Sequence, residues 1–116
     1  MAKVEKTLKT DLDTLSRKID AGVCSNCPLT KKRDEWTQDT DGGKCIVKVF
    51  EKFSETMDGC HYSMTVVLFE TGEEVKLWAV TAGGSKALFF EPGETGEGAL
   101  AGALKLTLAV LDDIIL

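Results

Sequence analysis

CHYSMTVVLFETGEEVKLWAVTA (60–82) holds two runs of β-branched and aromatic residues around a Thr71-Gly72 turn signal. Such a pair reads as a β-hairpin. Branched and aromatic side chains suit a pleated surface, and glycine supplies the backbone freedom of a tight loop. With Thr71-Gly72 as a two-residue loop, Leu68 faces Val75, Val66 faces Leu77 and Met64 faces Ala79. All six are apolar, so one face of the hairpin is a core face.

The same pattern extends both ways. KCIVKVFEKF (44–53) comes before, across a turn at 54–59, and SKALFFE (85–91) follows Gly83-Gly84. Pairing Phe53 with Cys60 sets Val49 opposite Met64 and Val47 opposite Val66. A Gly83-Gly84 loop sets Leu77 opposite Phe90 and Ala79 opposite Leu88. All three pairings place apolar residues on one shared face. A one-residue slip would turn every side chain over, so their agreement argues for this register. Short loops between consecutive strands make an antiparallel meander.

Toward the N-terminus, residues 2–9 alternate roughly as a strand. Thr10 is placed to cap a helix whose first turn holds Asp11 and Asp13. Leu12, Leu15 and Ile19 form its apolar stripe, and Gly22 is expected to stop it. Residues 24–34 read as a loop with Pro28, 35–38 as a short strand and Asp41-Gly42-Gly43 as a turn. Pro92 and Gly93 end the meander. A helix over 96–115 follows, with Leu100, Leu104, Leu108, Leu111 and Ile115 as its stripe. The expected order is β-α-β-β-β-β-β-α in a single α+β domain over residues 1–116. A curved antiparallel sheet carries both helices on one face, the general layout of helix-grip and TATA-binding-protein-like folds. That comparison concerns architecture and implies no function.

The length suits one domain with its own core. Apolar residues at 43% and charged residues at 28% describe a globular chain, not a disordered one. No apolar run is long enough to span a bilayer. MAKVEKTLKTDLD carries charges where an export signal needs an apolar core, so the expected compartment is the cytoplasm, with reduced cysteines. The net charge of −5 is uneven: residues 36–116 hold thirteen acidic against six basic side chains. That acidic body repels phosphate backbones, which argues against a nucleic-acid partner. Lys31-Lys32-Arg33 is followed at once by Asp34-Glu35 and reads as a solvated run.

Cys24-x-x-Cys27 invites a metal or redox reading. A structural zinc site takes four ligands, and no second such pair exists. In the expected register Cys45 lies opposite Leu68, roughly 26 Å from Cys60 at about 3.3 Å per residue, too far to share one ion. A site using Cys24, Cys27, one strand cysteine and a carboxylate stays open. A redox pair prefers a helix N-terminus, whereas this pair follows a helix. The plain reading is a loop, with Cys45 and Cys60 as small core residues. The lone His61 has no Gly-x-Ser-x-Gly elbow to serve. An enzyme reading would have to draw on Tyr62, His61 or Glu51, and the balance is against one. Gly83, Gly84 and Ser85 are a candidate anion cradle, though Gly-Gly is also what a tight hairpin needs. No cofactor is implied.

The sheet's second face is the informative feature. The expected register puts Ile46, Phe50, Val67, Phe69, Trp78, Val80, Ala87 and Phe89 there, with Lys44, Lys48, Lys52 and Lys76. A contiguous patch with Trp and Phe usually meets something. From Ala99 to Leu111 the last helix is apolar nearly all round, which also calls for cover on more than one side. Ile46, Phe50, Val67, Phe69, Trp78 and Phe89 are therefore the candidate ligand- or partner-binding residues.

VKLWAVTAGGSKALFFEPGETGEGAL, together with KCIVKVFEKFSE, resembles a small uncharacterised bacterial family defined as a domain of unknown function. The likeness lies in an Ala-Val-Thr-x-Gly-Gly-Ser hairpin and a Val-x-Val-Phe/Tyr-Glu strand, and it runs from residue 3 onward. It brings no site residues, and CSNCPLT (24–30) lies outside the part that carries it. The expectation is a non-enzymatic, self-associating module, a homodimer that binds a small apolar ligand or a protein, with no nucleic-acid or membrane partner. The alternative is a metal-binding or thiol-based regulator using Cys24 and Cys27.

Overall fold

β1 (Lys3–Leu8) lies at one edge of an antiparallel sheet, and β2 (Thr30–Thr40) at the other. Between them in space stand β5 (Glu74–Gly83), β4 (His61–Thr71) and β3 (Gly43–Phe53), giving the order β1-β5-β4-β3-β2. α1 (Leu12–Asn26) connects the two edges, and α2 covers residues 99–109. The structure, a computed structural model, describes residues 2–27, 29–53, 61–83 and 99–109. Within them the expected class holds: α+β, one antiparallel sheet, and an N-terminal and a C-terminal helix.

Both helices sit over one face. α1 buries Leu12, Leu15, Ser16, Ile19 and Val23, a stripe at helical spacing. α2 buries Leu100, Leu104 and Leu108 with Ala101, Ala103 and Thr107. These meet Leu8 of β1, Ile46 and Phe50 of β3, Met64, Val66 and Leu68 of β4, and Val75, Leu77 and Ala79 of β5 in one core. Leu111 and Ile115 of the expected stripe lie outside the described residues. Within α2 the other side is open, with Lys105 exposed and Leu106 58% exposed.

Two helix ends differ from expectation. The cap is Asp11, one residue after Thr10: its carboxylate accepts from the Thr14 amide at 2.9 Å and the Thr14 hydroxyl at 3.0 Å. Those two bonds hold the Asp11 carboxyl below its ordinary value. Gly22 does not stop α1, which runs to Asn26 with Cys27 as its C-cap. A Cβ at Gly22 would lie 2.1 Å from Oγ1 of Thr107. The glycine is there so that α1 and α2 can approach closely, a tertiary demand that mimics a helix-stop signal in sequence.

Three registers also differ. The β4–β5 loop is Gly72-Glu73, with Thr71 paired to Glu74. Gly72 has φ +65° at the first central position, the arrangement of a type II′ turn. The shift moves the pairing by two, to Leu68 with Leu77 and Val66 with Ala79, so both strands keep their expected faces. Between β3 and β4 the shift is one: Phe53 pairs with His61, Val47 with Val67 and Val49 with Thr65. That turns β3 over relative to expectation. At β5, the edge expected to receive residues 85–91 is taken by β1: Lys6 pairs with Leu77 and Val4 with Ala79. Residues 85–91 lie outside the described residues.

β2 is longer than the expected 35–38 strand and begins inside the expected loop. Its run KKRDE shows no apolar alternation because ten of its eleven residues are exposed. A bulge between Lys32 and Asp34 inserts Arg33, so Lys32 and Glu35 both fall on the helix-covered side.

Candidate interaction face

The face away from the helices carries one row of side chains across all five strands. Glu5 pairs with Trp78, Trp78 with Val67, Val67 with Val47 and Val47 with Trp36. The next row runs Thr7, Lys76, Phe69, Cys45 and Gln38, and the row on the other side Lys3, Val80, Thr65, Val49 and Asp34. Trp36 is 53% exposed and Trp78 40%. Two half-open indoles flanking two valines make a continuous apolar strip. A large indole left in water forfeits burial worth about 1.5–3 kcal/mol for a big apolar side chain.

Of the expected face residues, Val67, Phe69 and Trp78 are together here. Ile46 and Phe50 are not: they are buried under the helices, at 4% and 0% exposure. Val47 and Val49 stand in their places, half-buried. Phe89 lies outside the described residues. Trp36 was missed because it sits in a charged segment with no alternation. An Asp41-Gly42 two-residue loop would have paired it with Val47, and the structure has that pairing.

The lysines of β3 turn over with their strand. Lys44 reaches Asp13 at 3.9 Å, while Lys48 and Lys52 are buried at 0% and 8% exposure. Lys76 alone of the four stays on the open face and is exposed. Lys48 is tolerated in the core because two carboxylates meet its ammonium. Asp20 of α1 lies 2.9 Å away, and Glu35 of β2 accepts a short hydrogen bond. Lys32 closes the set, 3.0 Å from Asp20 and 3.1 Å from Glu35. Two cations and two anions alternate, so the cluster is neutral. The Asp20 hydrogen bond holds the Lys32 ammonium above its ordinary value, against the pull of burial. Bonding from Lys48 holds Glu35 below its own. The cluster ties α1, β2 and β3 together, with the fully buried Lys48 ammonium held between the two carboxylates.

The remaining sequence candidates are dispersed. Cys24 is exposed on the last turn of α1 and Cys27 is buried at its C-cap, so the pair lies in a helix end and not in the expected loop. Among the described residues no three His, Cys, Asp or Glu side chains gather as a metal set. Cys45 is half-buried on the open face beside Phe69 and not in the core; Cys60 lies outside the described residues. Gly83 ends β5, paired to Tyr62, with φ +131° and no space for a Cβ beside the His61 carbonyl. Gly84 and Ser85 lie outside the described residues. His61 stacks edge-on to Phe53 at 4.7 Å, and Arg33 lies 5.3 Å over that ring. Glu51 is taken by Arg33 at 2.8 Å. Tyr62 is buried on the opposite side of the sheet, so Tyr62, His61 and Glu51 do not converge.

Within the described residues, no helix is long and apolar enough to cross a membrane. Comparison with curated proteins finds no match. Among solved structures the chain is similar to the solution structure of Chr148 from Cytophaga hutchinsonii. The identity is 10%, 97% of this chain and 92% of that one are covered, and the TM-score is 0.41. A family of unknown function matches residues 1–111, which bears out the resemblance read from the hairpin and strand motifs. The chain belongs to that family, DUF6054.

Proposed function

We propose that this protein is a non-enzymatic interaction module that forms a homodimer through the open face of its sheet. One observation carries the reading: the order Trp78, Val67, Val47, Trp36 across β5, β4, β3 and β2 is the same in both directions. A two-fold interface needs such a self-complementary patch. An axis running along the strands between β3 and β4 lays Trp78 of one copy over Trp36 of the other, and Val67 over Val47. In the flanking rows it sets Lys76 against Gln38 and Val80 against Asp34, so no like charges meet. Four strands at about 4.8 Å and about 33 Å of length give on the order of 600 Å² in projection. That is the scale of a standard interface, about 800 Å² of accessible surface per partner.

The test pairs two substitutions. Trp78→Glu puts a charge against Trp36 of the second copy and should give a monomer by light scattering. Leu106→Glu replaces another exposed apolar residue, on the helix side, and should leave the mass unchanged. A Trp78→Glu protein with wild-type mass ends the proposal.

A further inference from the structure

A shallow groove of about 320 Å³ lies at the β1 end of the open face. Six of its lining residues form a block of two adjacent rows on three strands: Glu5, Trp78 and Val67 in one, Thr7, Lys76 and Phe69 in the other. Its volume falls at the small end of the range of ligand sites, about 300–1,000 Å³. Its apolar lining comes from Val67, Phe69 and Trp78, which is 40% exposed. The polar groups are not balanced. Glu5 is already neutralised by Lys3 at 2.7 Å. Among the described residues, no ion pair or hydrogen bond engages Lys76. The groove thus presents one free ammonium beside an apolar surface, in a chain whose net charge is −5. With Thr7 directly opposite Lys76, a hydroxyl donor stands beside that ammonium.

We infer that this groove binds a small amphipathic monoanion, an apolar or aromatic body carrying one carboxylate or sulfonate. The head group meets Lys76 and Thr7, and the body lies over Phe69 and Val67 against the Trp78 indole. A neutral body of the same shape keeps the apolar contacts and loses only the charge contact, so the two are separable. A cation is disfavoured by Lys76, and a multiply charged anion by the acidity of the whole chain. Trp78, Val67, Lys76 and Phe69 also belong to the four-strand patch of the proposed interface, so a bound anion and a second copy compete for them. The inference stands without the self-association.

The probe is 8-anilino-1-naphthalenesulfonate, followed by energy transfer from tryptophan, with uncharged N-phenyl-1-naphthylamine as its neutral counterpart. One equivalent of the sulfonate should bind per chain. Lys76→Gln should weaken the sulfonate about fivefold, the scale of one exposed charge contact, and leave the neutral dye within about twofold. Trp78→Ala should weaken both dyes. Equal affinity of the sulfonate for wild type and Lys76→Gln overturns the inference, as does a parallel loss of both dyes in Lys76→Gln. Sedimentation velocity on the same samples separates the two proposals. Read at a dilution where the protein is a single chain, absence of charge-selective binding refutes the groove alone, and a single-chain mass at every concentration with the site present refutes self-association alone.

Discussion

Replacing Lys48 with methionine tests the turned-over β3 strand and the charge cluster together. Lys48 is fully buried and its ammonium meets Asp20 and Glu35. Methionine keeps the stem's packing, so the change isolates the charge. Removing one partner from a buried ion pair costs about 3–5 kcal/mol when the other is left uncompensated. Here the loss is smaller for two reasons. Both carboxylates keep Lys32, at 3.0 and 3.1 Å. Their side chains are also 30% and 35% exposed, so water screens what remains. About 2 kcal/mol is the expected cost, seen as a lower urea midpoint at unchanged slope. Adding Glu35→Gln restores neutrality, and the double variant should regain about 1 kcal/mol over simple addition of the two losses. Had β3 taken the register its pattern first suggests, Lys48 would sit on the open face, and the substitution would cost less than about 0.5 kcal/mol. A Lys48→Met protein as stable as wild type, or strictly additive double-variant losses, would refute the cluster and the strand's orientation with it.

Gly22→Ala should destabilise by about 1–3 kcal/mol in urea unfolding despite alanine's better helix propensity, because its Cβ would overlap Thr107. Thr107→Ala should relieve that loss only in part, since the Thr107 Cβ itself would be 2.8 Å away. Phe50→Ala should cost about 3–5 kcal/mol while Val49→Ala, half-buried on the open face, costs under about 1 kcal/mol, a direct check of β3 by the same unfolding curves. For pH, Glu35 is held below 4.5, so its contribution is complete above that value and disappears as pH falls through its folded value. Lys32 is held above 10.5, so its contribution is complete below that value and disappears as pH rises beyond it. Urea midpoints should accordingly fall on the acid side below 4.5 and on the alkaline side above 10.5, and Lys48→Met should flatten the acid limb.

α1 was legible because burial leaves it a one-sided stripe of Leu12, Leu15 and Ile19. β4 and β5 carry apolar residues at both parities, Val66 and Leu68 against Val67 and Phe69, but a two-residue error in their loop preserves parity, so their faces were not disturbed. In β3 the error was one residue. KCIVKVFEKF has apolar residues at both parities, Ile46 and Phe50 on one side and Val47 and Val49 on the other. Alternation alone cannot orient such a strand, and its lysines mislead. A lysine reads as solvent-facing, yet Lys48 is buried by partners 28 and 13 residues away that no local pattern announces. β2 is hidden by the same logic: its covered-side residues Lys32 and Glu35 are charged, and the bulge at Arg33 breaks any alternation that remained. The open face was therefore foreseen as a feature. Val67, Phe69 and Trp78 were placed on it, while its β3 members were exchanged and Trp36 was overlooked.

The most direct test of the account is sedimentation equilibrium of the unmodified protein under reducing conditions, across a wide range of concentration. The palindromic strip on the open face predicts a monomer–dimer equilibrium, with a two-chain mass reached at high concentration. A single-chain mass at every concentration would contradict it.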